Sequence, residues 1–283
     1  MTAGSLPEAM TDAELAAAVA RARSLIVRVG HAAGGQGAHF GPALSLVEVM
    51  TVLYGAVARN SAANPRDPEP GRVILSKGHG SLALYAALHM RGYVDYAMLE
   101  TAEKDGSKLP GQPIRNLDLG IQFSSGSLGM GLAFGVGLAL SARLQGSSRR
   151  AFVVVGDGET NEGSVWEAAM SAAHFGLSNL VAIIDVNDLQ SDGPTSDIMS
   201  FNHAAAWSGS GGTSSSGWAR CLRPREALSR KAGERPSCVL ARTVKGKGVS
   251  FMENAADWHL ECWQRVQRVP EDRHRCSRRS TMP

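Results

Sequence analysis

The sequence predicts an α/β fold: a doubly wound, mainly parallel sheet with helices on both faces. Four short apolar segments, of the kind that forms strands buried on both sides, run into glycine or polar residues: RVILSKGHG, RAFVVVGDG, NLVAIIDVND and SCVLARTVKGKG. Segments with helical spacing precede the first strand and separate the first three. This alternation is typical of a parallel sheet, in which ligands bind beyond the carboxyl ends of the strands.

The N-terminal part of the chain is predicted to be helical. DAELAAAVARARSLIVRVGH has the apolar spacing of an amphipathic helix, with Asp12 as its expected cap. GPALSLVEVMTVLYGAVAR is expected to form a second helix, entered through Gly41 and Pro42. After the first strand, SLALYAALHMRGY is predicted to be helical, and residues 104–126 are predicted to be a loop broken by glycine and proline.

The segment SLGMGLAFGVGLALSARL is predicted to be a helix that packs close to its neighbours, because its four glycines lie near helical spacing. A dinucleotide-binding loop is the alternative for GSLGMG. No apolar strand directly precedes that motif, however, and its glycine order differs from the dinucleotide fingerprint. SVWEAAMSAAHFG is expected to form the next helix, ending at Gly176.

Composition excludes several classes of partner. The chain has 283 residues, 43% hydrophobic and 19% charged, with a net charge of +3, which is too small to favour nucleic acid. The longest apolar run is too short to span a membrane, and the first residues lack the order of a signal peptide. The four cysteines form no C-x-x-C pair, so we expect a cytoplasmic protein without a zinc site.

Two predicted strand ends carry residues suited to a cation. Asp157 lies between Gly156 and Gly158, and Asn187 follows the next strand, thirty residues later. Carboxylate and amide oxygens suit magnesium or calcium, and magnesium usually shares its ligands with substrate phosphates. The glycines would leave room for an anion, and the helix that begins near Gly163 would direct its N-terminus toward it. The simpler alternative is that Asp157 caps a helix and Asn187 is a turn residue.

These motifs resemble the N-terminal half of transketolase, which binds the diphosphate of thiamine diphosphate. Gly-Asp-Gly followed about thirty residues later by Asn is the fingerprint of that cofactor, and ILSKGHGSLALYAAL and ARTVKGKGVSFMENAADWH match the same family. The resemblance covers residues 10–207 and 226–259. It implies the thiamine diphosphate-binding fold over residues 10–259, and the basic residues of 260–283 are expected to form a disordered tail.

The resemblance also implies the ligands of Mg²⁺ and thiamine diphosphate. The metal would be held by the side chains of Asp157 and Asn187 and by the backbone carbonyl of Leu189. Glu162 would link the two sites of the dimer. The cofactor would lie against His79, Gly156, Asp157, Gly158, Glu162 and Asn187, with Gly126, Ser127 and Leu128 under its aminopyrimidine ring.

Three active-site histidines are implied as well. His39, His79 and His259 would orient the oxygens of the sugar and transfer protons, work that suits a pKa near neutrality. His31 offers a competing alignment for His39. The remaining histidines are expected to be ordinary surface or core residues: His31, His89, His174 and His203.

Two features depart from the family. Gln112, in LPGQP, stands where transketolases carry a histidine; it can hydrogen-bond a hydroxyl but cannot take a proton at neutral pH, so the substrate or the rate is expected to differ. Residues 208–225 are rich in serine and glycine and lack an apolar β-branched run, so we expect one strand to be missing. A compensated reading-frame slip is our hypothesis, tested by reading the gene in its other frames; a flexible linker is the alternative.

The family resemblance implies a split enzyme. The residues that activate the aminopyrimidine in the family have no counterpart here, so the expected partner is a C-terminal transketolase subunit, the pyrimidine-binding half, in a heterotetramer. The expected reaction is two-carbon ketol transfer between phosphorylated sugars, with the chain inactive alone. The alternatives are another thiamine diphosphate enzyme, such as a 1-deoxyxylulose-phosphate synthase or a keto-acid dehydrogenase component, and a non-catalytic remnant.

Overall fold

The computed structural model describes residues 9–211, 213–215, 228 and 235–261. Within this part of the chain, five strands form one sheet in the order β1-β2-β3-β5-β4, and every neighbouring pair is parallel. The four predicted strands are all present, which confirms the predicted parallel sheet. The strands are β1 (Arg72–Leu75), β2 (Ala151–Gly156), β3 (Leu180–Val186), β4 (Thr213–Ser215) and β5 (Ser237–Arg242).

Helices cover both faces of the sheet, as a doubly wound fold requires. Successive residues of β2 point to opposite faces, so Val154 packs in one hydrophobic core and Val153 in the other. The first core is completed by α1 (Asp12–Ala32), α2 (Phe40–Ser45), α3 (Val47–Val52), α4 (Ser81–Met90) and α5 (Tyr96–Leu99). The second is completed by α6 (Met130–Leu144), α7 (Gly163–His174) and, after the short α8 (Thr195–Ile198), α9 (His203–Gly209).

The cap of α1 differs from the prediction. Thr11, in an extended conformation, accepts a hydrogen bond from the Glu14 backbone N–H at 3.3 Å, and the Glu14 carboxylate accepts one from the Thr11 N–H at 2.7 Å. This reciprocal capping box makes Asp12 the first helical residue and Thr11 the cap. The expectation for Asp12 is therefore wrong by one position, because Glu14 lies three residues after Thr11.

The predicted second helix is interrupted. It ends at Ser45 and resumes at Val47 as α3, and a π-helical turn over Leu53–Val57 follows. The Ser45 hydroxyl lies at the break, 2.9 Å from the Pro42 carbonyl and 2.7 Å from Asp185 Oδ2. The single hydroxyl proton can be donated to either acceptor, the helix carbonyl or the distant carboxylate. Such side-chain hydrogen bonds compete with regular helix geometry, and periodicity alone does not reveal the distant partner.

A short strand lies inside the segment expected to lack one. Residues 213–215 form β4 and pair with Ser237–Val239 at the edge of the sheet. A ladder of backbone hydrogen bonds to one neighbour does not require apolar side chains, so an edge strand can form where the apolar pattern is absent. We expected no strand in this segment, and residues 213–215 show that expectation to be wrong for these three residues. Residues 212 and 216–225, and the predicted tail from residue 262 onward, lie outside the described residues.

No described helix is both long and apolar enough to cross a bilayer.

Candidate functional site

A cavity of about 280 Å³ lies beyond the carboxyl ends of the strands. Its walls come from distant parts of the sequence because the loops that follow β1, β2, β3 and β5 meet at this edge of the sheet. They contribute Lys77 and His79, then Gly156–Glu159, then Asn187 and Leu189, then Lys245 and His259.

Asp157 is buried at the centre of this edge, with 5% of its surface exposed. Its Oδ2 accepts hydrogen bonds from the backbone N–H groups of Asn187 at 2.9 Å and Asp188 at 2.8 Å, and its Oδ1 accepts one from Gly158 at 2.8 Å. Burial, and then the nearby Asp185 carboxylate, raise the pKa of Asp157, while these N–H donors and Lys77 oppose that rise. The two predicted metal-binding residues, Asp157 and Asn187, are thus in direct contact.

The Asn187 carboxamide is held at both ends. Its Nδ2 donates to Asp185 Oδ2 at 3.2 Å, and its Oδ1 accepts from the Leu189 N–H at 3.2 Å. The three residues predicted to hold a metal, Asp157, Asn187 and Leu189, all line the cavity.

Two buried lysines lie at the cavity. Lys77 pairs with Asp185 at 2.5 Å, and both side chains are almost completely excluded from solvent. Lys245 donates to the carbonyls of Leu189 and Gln190, at 3.3 and 2.8 Å, and burial lowers its pKa to about 8, with Lys77 adding to the effect. The hydrogen bonds of Lys77 include a carboxylate, whereas those of Lys245 go to two carbonyls and to His259, so Lys245 is the ammonium group of this cavity better suited to attract an anionic ligand.

The three predicted histidines form a cluster. The ring centroids of His79 and His259 lie 5.1 Å apart, and the His39 ring lies 6.0 Å from His79 and 5.7 Å from His259. Lys245 Nζ lies 2.9 Å from His259 Nδ1, so the ammonium donates and His259 carries its proton on Nε2. His31, which offered the competing alignment for His39, is instead exposed on α1.

All three rings are neutral at pH 7 in this structure. Burial, followed by the positive charges of Lys77 and Lys245, lowers the pKa of His39 to about 4. Burial, followed by Lys245, lowers the pKa of His259 to about 3, and burial places the pKa of His79 well below its usual value. A neutral imidazole has one N–H donor and one acceptor nitrogen, and in His259 the acceptor nitrogen is already used by Lys245, which leaves its Nε2–H for a ligand.

Glu159 connects three loops beneath the cavity, and it was not predicted as a site residue. Its Oε1 accepts hydrogen bonds from the Ser76 hydroxyl and from the Gly129 N–H at 2.8 Å, and its Oε2 accepts from the Gly156 N–H at 2.9 Å. The carboxylate therefore ties the ends of β1 and β2 to the start of α6, and burial raises its pKa.

The other residues predicted to bind the cofactor do not all lie at the cavity. Leu128 and Glu162 line the cavity, whereas Gly126 and Ser127 are exposed and do not. The space beside Gly158 is filled by the Gln190 side chain, since an added Cβ would lie 2.8 Å from Gln190 Cγ. We expected Gly158 to leave room for an anion. In the structure the room beside Gly158 is taken by a side chain of the protein itself.

Gln112 packs against the turn that carries His79. An added Cβ at Gly78 would lie 2.1 Å from Gln112 Oε1 and 2.3 Å from Ser125 Oγ, so a larger residue at position 78 would have to displace both side chains. Both oxygens are buried without a hydrogen-bond partner. The departure from the family therefore lies next to the histidine cluster.

A second cavity of about 410 Å³ adjoins the first and shares with it Asp157, Asn161, Gln190 and Met199. His203, expected to be an ordinary surface or core residue, lines this second cavity and lies 3.4 Å from the Thr160 hydroxyl.

Lys77, Asp185 and Glu159 were not among the predicted site residues. A lysine directly before Gly-His-Gly and an aspartate inside the apolar run VAIIDV were the available signals, because charged residues are seldom buried without a partner. The partner of each could not be found from the sequence, since Lys77 and Asp185 are 108 positions apart.

The donor set suits a hard divalent cation. A carboxylate has about four lone-pair sites, and Asp157 uses three of them for N–H donors. Asn187 Oδ1 and the Leu189 carbonyl each accept one hydrogen bond, which leaves each oxygen one further lone pair. The described residues contain no cluster of three or more His, Cys, Asp or Glu side chains able to form an all-protein cage, so phosphate or water oxygens would complete the coordination.

A parallel sheet with a polar cavity beyond its strand ends is the arrangement of cofactor-binding α/β domains. Comparison with known proteins identifies the family. Residues 15–264 match the family model described as the thiamine diphosphate binding domain of transketolase, so the chain belongs to the transketolase family. This confirms the resemblance seen in the sequence.

Curated relatives cover nearly the whole chain. The chain is 37% identical over 251 residues to an apulose-4-phosphate transketolase subunit of Actinobacillus succinogenes, in an alignment that spans 88% of this chain and 90% of the relative. It is also 37% identical over 226 residues to the 6-deoxy-6-sulfo-D-fructose transketolase subunit SqwG of Clostridium sp. (strain MSTE9), spanning 78% of this chain and 82% of that protein.

Solved transketolases share the fold but are much longer. The Campylobacter jejuni transketolase superposes with a TM-score of 0.80 at 24% identity, over 94% of this chain and 43% of that chain. The Pichia stipitis transketolase complex with sedoheptulose 7-phosphate gives a TM-score of 0.79 at 25% identity, over 89% of this chain and 39% of that chain. The chain therefore spans about two fifths of the solved transketolases that it matches.

Proposed function

We propose that the chain is the N-terminal subunit of a split transketolase. It would bind thiamine diphosphate and Mg²⁺ and, with a C-terminal partner subunit, transfer two-carbon ketol units between phosphorylated sugars. Relatives of similar length that are themselves named as transketolase subunits support a two-chain enzyme. A heterotetramer of two such pairs is the proposed assembly.

One observation carries the proposal: the strand-end cavity brings the Asp157–Asn187 pair and the histidines His79 and His259 together, with His39 beside them. These residues come from segments more than two hundred positions apart. If each residue had only its own structural role, nothing would require all of them to lie at one cavity.

The residues have distinct proposed roles. Asp157, Asn187 and the Leu189 carbonyl would hold Mg²⁺, and Lys245 would balance part of the charge of the diphosphate. His39, His79 and His259 would orient substrate oxygens and accept or donate hydrogen bonds, and an anion beside them would raise their pKa values from those of the free chain. When bound, thiamine diphosphate supplies the electron sink that lets a carbon–carbon bond of a ketose break and form again.

The missing half of the site would come from the partner. A cavity of about 280 Å³ is slightly smaller than the roughly 300–1,000 Å³ typical of ligand pockets. Leu128, Ile198 and Met199 line it and are partly exposed, at 38%, 44% and 56%, so its rim is apolar and uncovered in the single chain. A second subunit seated on this rim would enclose the ring end of the cofactor.

Co-expression with a pyrimidine-binding subunit encoded in the same gene neighbourhood provides the test. The purified complex should release the aldose product from xylulose 5-phosphate when an acceptor aldose is present, and it should require Mg²⁺. Asp157→Ala should weaken the binding of thiamine diphosphate by more than about 100-fold, because it removes a proposed metal ligand. Calorimetry measures the affinity.

Asp192→Ala is the matched control, because Asp192 is an exposed carboxylate on the neighbouring loop that does not line the cavity. It should bind and turn over like the wild type. Equal cofactor affinity in the Asp157 variant and the wild type would refute the proposed metal site.

Gln112 favours a second candidate function, a cofactor-binding chain without transfer activity, because an amide cannot carry a proton at neutral pH. Normal cofactor binding without turnover of several ketose phosphates would support that candidate. Absence of any thiamine diphosphate binding would contradict both.

A further inference from the structure

Asp185 is a completely buried carboxylate that receives four hydrogen bonds. Lys77 Nζ lies 2.5 Å from its Oδ2, the Ser45 hydroxyl 2.7 Å and Asn187 Nδ2 3.2 Å, and the Thr243 hydroxyl donates to its Oδ1. The donors come from α2 and from the segments that follow β1, β3 and β5. One carboxylate therefore holds together four of the segments that surround the cavity.

Stability alone does not account for this arrangement. Removing two charges from water costs several kcal/mol per ion, and replacing a buried ion pair with apolar residues of similar size is often neutral or stabilising. A buried Lys77–Asp185 pair is therefore weak evidence of a stabilising role. The contact from Asp185 to Asn187 indicates another role, because Asn187 lines the cavity.

A carboxamide has two chemically different ends, and only the oxygen can bind a cation. Asp185 Oδ2 accepts from Asn187 Nδ2, and Asn187 Oδ1 lies on the other side, where it accepts from the Leu189 N–H. A half-turn of the carboxamide would bring its oxygen against the Asp185 carboxylate, two acceptors without a proton between them, and would leave the Leu189 N–H facing an NH₂ group. Asp185 thus selects one of the two orientations.

We propose that Asp185 is a positioning residue that fixes the Asn187 carboxamide with its oxygen on the Leu189 side of the cavity, ready to bind a divalent cation. The inference rests on the proposed function, in which Asn187 is a metal ligand. Lys77 supports this arrangement, because its ammonium pairs with Asp185 at a position from which water is excluded. Partners that orient metal ligands in this way typically change metal affinity about 10–100-fold when they are removed.

Paired double variants isolate the orientation effect from the loss of charge. K77M/D185L removes the ion pair and the acceptor for Asn187 Nδ2, whereas K77M/D185N removes the ion pair but keeps an amide oxygen at position 185. The effects of losing Lys77 are the same in both. Mn²⁺ affinity, measured by electron paramagnetic resonance on the full chain with thiamine diphosphate, alone and with the partner subunit, should be about 10–100-fold weaker in K77M/D185L than in K77M/D185N.

A rescue variant tests orientation directly. In K77M/D185L/N187D the residue at position 187 has an oxygen at both ends, so its rotation no longer matters. Its Mn²⁺ affinity should lie within about threefold of that of K77M/D185N/N187D, which carries the same added charge. A purely structural role for Asp185 predicts that the difference between the leucine and asparagine variants persists. Circular dichroism at the temperature of measurement verifies folding, and K77M/D185A replaces K77M/D185L in the comparison should the leucine variant not fold.

The possible results separate the two proposals. Equal Mn²⁺ affinities in the paired variants, or a difference between them that persists when both carry N187D, would overturn the positioning role while leaving the proposed function intact. No Mn²⁺ binding by the wild-type chain, alone or with its partner, would overturn the proposed function and the inference with it.

Discussion

Glu103 is strained and incompletely hydrogen-bonded in the described structure. Its φ of 67° lies in the left-handed region that disfavours side chains, and its Oε1 is buried without a hydrogen-bond partner. An added Cβ at Gly111 would lie 2.3 Å from Glu103 Oε2, so the carboxyl packs directly against the loop that carries Gln112. Burial raises the pKa of Glu103 to about 7, and Tyr85, whose hydroxyl donates to the Pro110 carbonyl at 2.5 Å, faces the same carboxyl.

The raised pKa of Glu103 predicts a stability change with pH. A carboxyl whose pKa rises from 4.5 unfolded to about 7 folded supports the fold fully below pH 4.5, and that support is lost as the pH rises through 7. The side chain of Glu103→Gln is neutral at every pH, so its free energy of unfolding relative to wild type should rise as the pH increases. The expected rise between pH 4.5 and pH 8 is roughly 1–2 kcal/mol, a figure reduced because water reaches this half-buried group. Urea unfolding at the two pH values measures the difference.

Glu100→Gln is the control for that series, because Glu100 is exposed and precedes Glu103 by three residues. It should show no comparable dependence on pH. A Glu103→Gln variant whose stability relative to wild type is the same at both pH values would contradict the assigned burial.

Single residues also show how far the sequence could predict the site. Asp157 and Asn187 could be selected because each directly follows an apolar strand, and neighbouring parallel strands end at one edge. His39 could not be separated from His31 by pattern, since both precede glycine-containing, loosely periodic segments. Only the packing of α1 and α2 places His39 beside His79 and leaves His31 in solvent.

At the scale of elements, α6 packs closely against the sheet through its glycines, as their spacing predicts. An added Cβ at Gly131 would lie 2.4 Å from Ser76 Cβ and 2.7 Å from Ser76 Cα, and one at Gly135 would lie 2.4 Å from Val153 Cγ2. At Gly137, by contrast, an added Cβ would have no atom within 4 Å. The close approach also brings the Gly131 N–H within 3.1 Å of the Ser76 hydroxyl, which hydrogen-bonds Glu159.

These glycines provide a matched pair of substitutions. Gly131→Ala should destabilise the fold by about 1–3 kcal/mol, because the added methyl group overlaps the backbone at Ser76. Gly137→Ala adds the same methyl group where there is space and should stabilise α6 by up to about 1 kcal/mol through helix propensity. Thermal unfolding followed by circular dichroism compares them, and equal unfolding temperatures would argue against the close packing of α6 on β1.

The edge strand shows where element prediction from sequence fails. The apolar pattern identified β1, β2, β3 and β5, whose side chains are mostly buried on both faces of the sheet. It did not identify β4, because a strand of three residues at an edge is held by backbone pairing to β5 and has too few side chains to show a pattern.

At the scale of the whole molecule, ligand binding should raise the stability of the fold. Thiamine diphosphate with Mg²⁺ would bind only the folded chain, since the donors meet only when four segments converge, so ligand at 100 times its dissociation constant should add about 2.7 kcal/mol. The unfolding temperature should then rise by roughly 5–10 °C for a chain of this size. Differential scanning fluorimetry of the chain, with and without its partner, measures the shift.

Removal of the metal gives the decisive comparison for that shift. EDTA should abolish most of it, because the diphosphate and the Asp157–Asn187 pair are proposed to be joined through the cation. An unchanged shift in EDTA would show that the diphosphate is held by Lys245 and backbone donors without a metal.

By itself, the sequence determined the fold class, four of the described strands, the family and the residues that follow the strand ends, because burial imposes an apolar pattern and the strand order of a parallel sheet brings those ends together. The tertiary structure alone decided which distant charges pair and which end of the Asn187 carboxamide faces Asp185. Those outcomes depend on three-dimensional contacts between segments such as Lys77 and Asp185, and local pattern carries no information about a partner a hundred residues away.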